Sequence, residues 1–147
     1  MIVTKSRLFV IACSLLLGCG TALNLKSAEN QSTPRVGQEF SLKVGQQLKL
    51  EGVDLQVKFT GVPQDSRCPS NVNCVWAGNA EVALDLFHDK CDTIITLNTH
   101  RSTGAGDEGK VGGFRIKLIK LDPYPHTEQK ISPGDYTATL LVTKASE

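Results

Sequence analysis

Four stretches of this chain alternate apolar and polar residues with a period of two, and no other feature constrains the fold as tightly. Val53, Leu55, Val57 and Phe59 alternate with Asp54, Gln56, Lys58 and Thr60, while Ala80, Val82, Leu84 and Leu86 alternate with Glu81, Ala83, Asp85 and Phe87. Phe114, Ile116 and Leu118 stand against Arg115 and Lys117, and Tyr136, Ala138, Leu140 and Val142 against Thr137, Thr139 and Thr143. Successive side chains of a strand point to opposite faces, so each run has one side for a core and one for water. Leu48 and Leu50 mark an earlier strand that Glu51 to Asp54 turns into the next, and His88-Asp89-Lys90 turns another into Asp92 to Asn98. No segment carries apolar residues at sustained helical spacing, and the Gly and Pro placement interrupts most candidate helices. The chain is predicted to be all-β. About seven short strands in about 110 residues call for a small antiparallel β-sandwich, because one sheet alone would leave an apolar face uncovered. A small β-barrel satisfies the same pattern.

This β-domain is assigned to residues 37–147. Between Gly20 and Pro34 the chain is polar, without an apolar period that could be buried, and residues 19–36 read as a flexible tether. The glycine-rich stretch from Thr103 to Gly113 reads as a mobile loop. It lacks the strand-loop-helix setting of a phosphate-binding loop, and Lys110 is not followed by Ser or Thr, so no nucleotide is expected.

Ahead of the tether, Lys5 and Arg7 precede an apolar run from Leu8 to Leu17, the order of a secretory signal. The run is about half the roughly 20 residues that a membrane-crossing helix needs. It closes on Leu16-Leu17-Gly18-Cys19, which resembles the lipobox of bacterial lipoproteins. The resemblance implies that residues 1–18 are a signal peptide cleaved before Cys19, that Cys19 carries diacylglycerol and, as is usual, an acylated new amino terminus, with palmitate the expected chain. Such an anchor holds a protein on a membrane, each buried methylene contributing about 0.8 kcal/mol. Gly20 rather than aspartate after the cysteine implies, in a Gram-negative cell, the outer membrane. Cleavage after Ala22, behind the small residues of Gly20-Thr21-Ala22, would instead release a secreted protein. Without the signal the chain is nearly charge-neutral, and its basic residues are interspersed with acidic and apolar ones, which excludes nucleic acid as a partner.

One segment departs from plain β-scaffold, Asp65 to Gly78, which gathers two cysteines and the only tryptophan between two strands. Its Asp65-Ser66-Arg67-Cys68-Pro69 and Cys74-Val75-Trp76-Ala77-Gly78 resemble motifs of a group of small secreted and lipid-anchored bacterial β-proteins. The resemblance implies a compact extracytoplasmic β-domain and brings no activity with it. On chemistry alone, Cys68 and Cys74 enclose five residues in a compartment where disulfides persist, so a bridge between them is the default. A loop that small gains about 2 kcal/mol in the chain-entropy model. Trp76 is expected to pack over the bridge or cap the core, or else to stand out as an aromatic anchor for a partner. Arg67 and Asp65 are expected to form a local ion pair, with Arg67 also a candidate for ligand binding.

Cys91 is then the odd cysteine of the mature chain. A buried inert thiol is the first reading; pairing with Cys68 or Cys74, and an intermolecular bond, are the others. Cys68, Cys74, His88 and Cys91 could together hold zinc or cuprous copper, although the spacing of the first two is wider than in the usual zinc knuckle. No cofactor is expected. Ser66 lies in no nucleophile elbow, His88, His100 and His126 fall at turns or strand ends, and Asp107 and Glu108 are adjacent on the glycine-rich stretch, so the chain is not expected to be an enzyme. Two functions remain. One is a lipid-anchored envelope protein that binds a partner through its loops; the other is a metal- or redox-linked envelope protein.

Overall fold

The computed structural model describes residues 33–100 and 106–145. The signal segment, Cys19 and most of the tether lie outside the described residues. Eight strands follow in order: β1 (Glu39–Lys43), β2 (Gln47–Lys49), β3 (Leu55–Asp65), β4 (Ala80–His88), β5 (Cys91–Asn98), β6 (Glu108–Val111), β7 (Phe114–Asp122) and β8 (Thr137–Lys144). They form two four-stranded sheets, ordered β1-β8-β7-β6 and β2-β3-β4-β5, in which every neighbouring pair is antiparallel. The described residues contain no helix. The sandwich forms, and the barrel does not, because the two sheets keep separate hydrogen-bonded ladders.

The alternating runs supply the core. Leu55, Val57 and Phe59 from β3 and Ala80, Val82, Leu84 and Leu86 from β4 face Leu42, Ile116, Leu118, Ala138, Leu140 and Val142 of the other sheet, and nearly all are completely buried. Each large side chain so buried contributes about 1.5–3 kcal/mol. On β7 the pairing with β8 shifts register between Leu118 and Lys120. The extra residue moves the inward positions from Ile116 and Leu118 to Leu121, which stays buried although the strict alternation is broken.

Three expectations need correction. A strand at Glu39–Lys43 pairs with β8 and buries Leu42, which the short and mostly polar run did not signal. The packed domain includes residues ahead of Gly37: Pro34 is buried, its carbonyl accepts from the Glu51 amide at 2.9 Å, and Arg35 pairs with Glu51. Finally, the stretch from Thr103 to Gly113 is not all loop. Residues 101–105 lie outside the described residues, but Glu108–Val111 is β6, and Gly112-Gly113 turns it into β7. The glycines have a packing reason: a Cβ on Gly109 would stand 2.7 Å from Ile95 Cδ1, so a bare backbone lets β6 approach β5 of the other sheet.

Candidate functional site

Asp65 ends β3, and the chain leaves the sandwich for an excursion that returns at Ala80 to begin β4. Its two legs are laced together. The Ser66 amide donates to the Asn79 carbonyl at 2.7 Å, the Ser66 hydroxyl donates to the same oxygen at 2.9 Å, and the Cys68 amide donates to the Ala77 carbonyl at 2.9 Å. Gly78 makes this clasp possible. Its φ is +71°, and a Cβ there would fall 1.9 Å from the Ser66 carbonyl oxygen, so no side chain fits. Asn79 fastens the return leg to the end of β5: its Nδ2 donates to Asn98 Oδ1 at 2.6 Å, and its Oδ1 accepts from the His100 amide at 3.1 Å.

Beneath the legs lies a buried polar network. Arg67, 7% exposed, donates from Nε and Nη2 to the two oxygens of Asp65 at 2.9 and 2.6 Å, from Nη1 to the Leu121 carbonyl at 2.8 Å and from Nη2 to the Pro123 carbonyl at 2.9 Å. Its own amide donates to Asp65 Oδ1, and the Tyr136 hydroxyl donates to Asp65 Oδ2 at 3.1 Å. The guanidinium also lies 5.0 Å from the centre of the Tyr124 ring. Burial opposes ionisation of Asp65 and is the largest single influence on it. The hydrogen bonds from the Arg67 side chain and amide, the guanidinium charge and the Tyr136 hydroxyl together outweigh burial and hold the carboxyl below its ordinary range. Tyr136 moves upward, through burial first and then the charge and hydrogen bond of Asp65.

The expected local ion pair between Asp65 and Arg67 therefore forms, but it reaches across the fold. Leu121 and Pro123 follow it by more than fifty residues, and Tyr136 stands beside the last strand. Tyr124, Tyr136 and the two carbonyls were not marked as partners by any local pattern; only the inward phase of Tyr136 hinted at a position near the core. With four of its side-chain hydrogen bonds committed inside the protein, Arg67 acts as a strut for the loop.

Cys68 and Cys74 are joined, with Cα atoms 6.0 Å apart. The bridged loop also rests on the connection before β8: the Ser70 amide donates to the Pro125 carbonyl at 2.9 Å, and the Thr127 amide donates to Asn71 Oδ1 at 3.1 Å. Alongside exposed Ser70, Asn71 and Asn73 the loop presents three large apolar side chains outward. Val75 is 91% exposed, Trp76 82%, and Val72 is exposed as well. Trp76 neither covers the disulfide nor caps the core; its indole stands in solvent. Beside the indole is a shallow cleft of about 220 Å³ bordered by Ser66, Asn79 and His100.

The other candidates do not join this site. Cys91 is free and exposed, which corrects the buried-thiol reading. It faces His88 across the β4-β5 ladder, while the His88 ring is largely buried, edge-on to Phe114, with Nδ1 3.3 Å from Asp89. The four-ligand set of Cys68, Cys74, His88 and Cys91 is not assembled, since two of its thiols are bonded to each other. Among the described residues no three His, Cys, Asp or Glu side chains are grouped to hold a metal. Glu108 lies within 3.4 Å of Arg115, and Asp107 within 3.9 Å of Lys117. No family model, curated protein or solved structure matches this chain.

Proposed function

We propose that this chain is a lipid-anchored bacterial envelope protein that works as a binding module, with the Asp65–Gly78 loop as its recognition element. The observation that carries this reading is Trp76 held in water on a loop that the protein goes to length to immobilise. A tryptophan buries as much apolar area as any side chain when it can, and scattered exposed apolar residues need no explanation. Here, however, Val72, Val75 and Trp76 lie within five residues of one another on one loop. That loop is fixed by a disulfide, a clasp closed over Gly78 and a buried Arg67–Asp65 pair. Rigid aromatic groups on pre-ordered loops lose little entropy when a partner covers them, which is the usual make-up of an interface anchor.

The anchor on Cys19 would confine the module to the membrane surface, with the tether setting its reach. Replacing Cys19 by serine is expected to move the protein from the membrane fraction to the soluble one and to abolish incorporation of labelled palmitate. For the recognition element, a photoreactive residue at Val75 in intact cells should capture a defined partner, and Trp76→Ala in the same chain should abolish the capture. Equal capture from Lys43, an exposed position on β1, would defeat the proposal.

A further inference from the structure

We infer that the Trp76 side of the loop is a subsite for a neutral carbohydrate, with one pyranose ring lying against the indole. The inference rests on the reading of the loop as a recognition element and names what that element recognises. A pyranose presents an apolar face of C–H groups and a rim of hydroxyls. A receptor for it needs a flat aromatic surface that stays where it is, with donors and acceptors beside it. Formal charge adds little there, because a neutral hydroxyl returns only part of what desolvating an ion costs.

The loop matches each requirement. From Cys68 to Asn79 there is no Asp, Glu, Lys or Arg. The cleft beside Trp76 adds the side-chain amide of Asn79 and the imidazole of His100, and no Asp, Glu, Lys or Arg borders it. The Ser66 hydroxyl on its border donates to the Asn79 carbonyl and accepts from the Asn79 backbone N–H. Asn79 is already oriented. The His100 backbone N–H can only donate, so the amide oxygen must face it, and Nδ2 faces Asn98. One Nδ2 hydrogen remains for a sugar hydroxyl. The backbone that carries the indole is anchored two residues to either side, at the bridged Cys74 and the clasped Gly78. At about 220 Å³ the cleft is smaller than the roughly 300–1,000 Å³ of sites for drug-sized ligands, so it takes one ring and leaves the rest of a polysaccharide in solvent.

Other occupants fit less well. An extended peptide adds as a strand along a row of free backbone groups, yet the amides of Ser66 and Cys68 and the carbonyls of Ala77 and Asn79 are taken up by the clasp. A lipid surface would draw in Val75 and Trp76 but would strip water from Asn73, exposed on the same loop. An anionic polymer would find no lysine or arginine on the tip.

Trp76 is the only tryptophan in the chain, so its emission reports occupancy directly. The purified full-length protein, in a detergent without sugar headgroups, is titrated with chitotetraose, with cellotetraose and with anionic tetragalacturonate. A saturable change in Trp76 emission with at least one neutral tetrasaccharide is expected, and the preferred one identifies whether an acetamido or a hydroxyl group is read. By calorimetry, Trp76→Ala should weaken that binding about tenfold or more, while Trp76→Tyr keeps it within a few fold. Trp76 is exposed, so neither change threatens the fold. No saturable response to either neutral sugar up to about 10 mM, tighter binding of tetragalacturonate, or a Trp76→Ala variant that binds as well as the parent would each overturn the inference. Specific crosslinking from Val75 to a protein in cells, alongside failure with sugars, would overturn the carbohydrate subsite alone; failure of both would remove the recognition loop as well.

Discussion

Replacing Arg67 by methionine tests the network that supports the loop. Methionine fills much of the same space but donates no hydrogen bond. The change removes two bonds to Asp65 and one each to the Leu121 and Pro123 carbonyls, all between 2.6 and 2.9 Å. Breaking a buried ion pair by removing one partner costs about 3–5 kcal/mol. Asp65 keeps the Arg67 backbone amide and the Tyr136 hydroxyl, so its carboxylate is not stripped of donors, and the loss should fall near the lower end, about 3 kcal/mol. A pH signature accompanies it. In the native protein the Asp65 carboxyl is depressed, so the stability it contributes is present above its unfolded value and is lost as pH falls through the folded one. In the variant burial still opposes ionisation, while the Arg67 side-chain hydrogen bonds, the largest influence against it, and the guanidinium charge are gone. The carboxyl rises, and the acid loss of stability begins at higher pH. Urea unfolding followed by far-ultraviolet circular dichroism is the suitable assay, because exposed Trp76 is a poor reporter of core unfolding. Adding Asp65→Asn should recover part of the loss by removing the unpaired charge. A loss below about 1 kcal/mol at neutral pH, the range of exposed ion pairs, or an unmoved acid limb would refute the reasoning.

Gly78→Ala should cost about 1–2 kcal/mol for the left-handed backbone alone, and more because the new Cβ overlaps the Ser66 carbonyl. Hydrogen exchange at the Ser66 and Cys68 amides, measured against the core strands, should accelerate selectively. Replacing both Cys68 and Cys74 by serine should lower stability in urea by about 2 kcal/mol, and a neutral result would mean that the polar clasp alone orders the loop. Cys91 in the folded protein should react with a maleimide at a rate close to that of an exposed thiol, with peptide mapping locating the label; protection until unfolding would contradict its exposed position.

The strands were legible where alternation was long. The runs through Leu55–Phe59, Ala80–Leu86, Phe114–Leu118 and Ala138–Val142 announced both strand and inward face, because a period of two is written in neighbouring residues. It failed where the signal was short or masked by composition. β1 shows only Phe40 and Leu42 as apolar members, and β6 is built around Gly109, a residue that reads as loop until Ile95 of the facing sheet is seen against it. At the site, the two cysteines and the Asp65–Arg67 pair were legible because both are local. The seating of Arg67 on Leu121 and Pro123 was not.

Taken by itself, the sequence determined an all-β chain, sandwich or small barrel, with Cys68 and Cys74 as the default disulfide and a single unusual loop between two strands; the two separate sheets decided for the sandwich. Tertiary structure decided which loop residues meet water. Trp76, read either as cover for the bridge or core or as an exposed anchor, stands exposed, while Arg67, charged and a candidate for ligand binding, is buried. Cys91, first read as an inert core thiol, lies at the surface. For Trp76 and Arg67, which lie off the strands, the physical reason is the same. Strand burial follows from a local period, whereas burial off the strands depends on what distant segments place against a side chain, here the carbonyls and rings of residues 121–136 brought beside Asp65 by the packing of the two sheets.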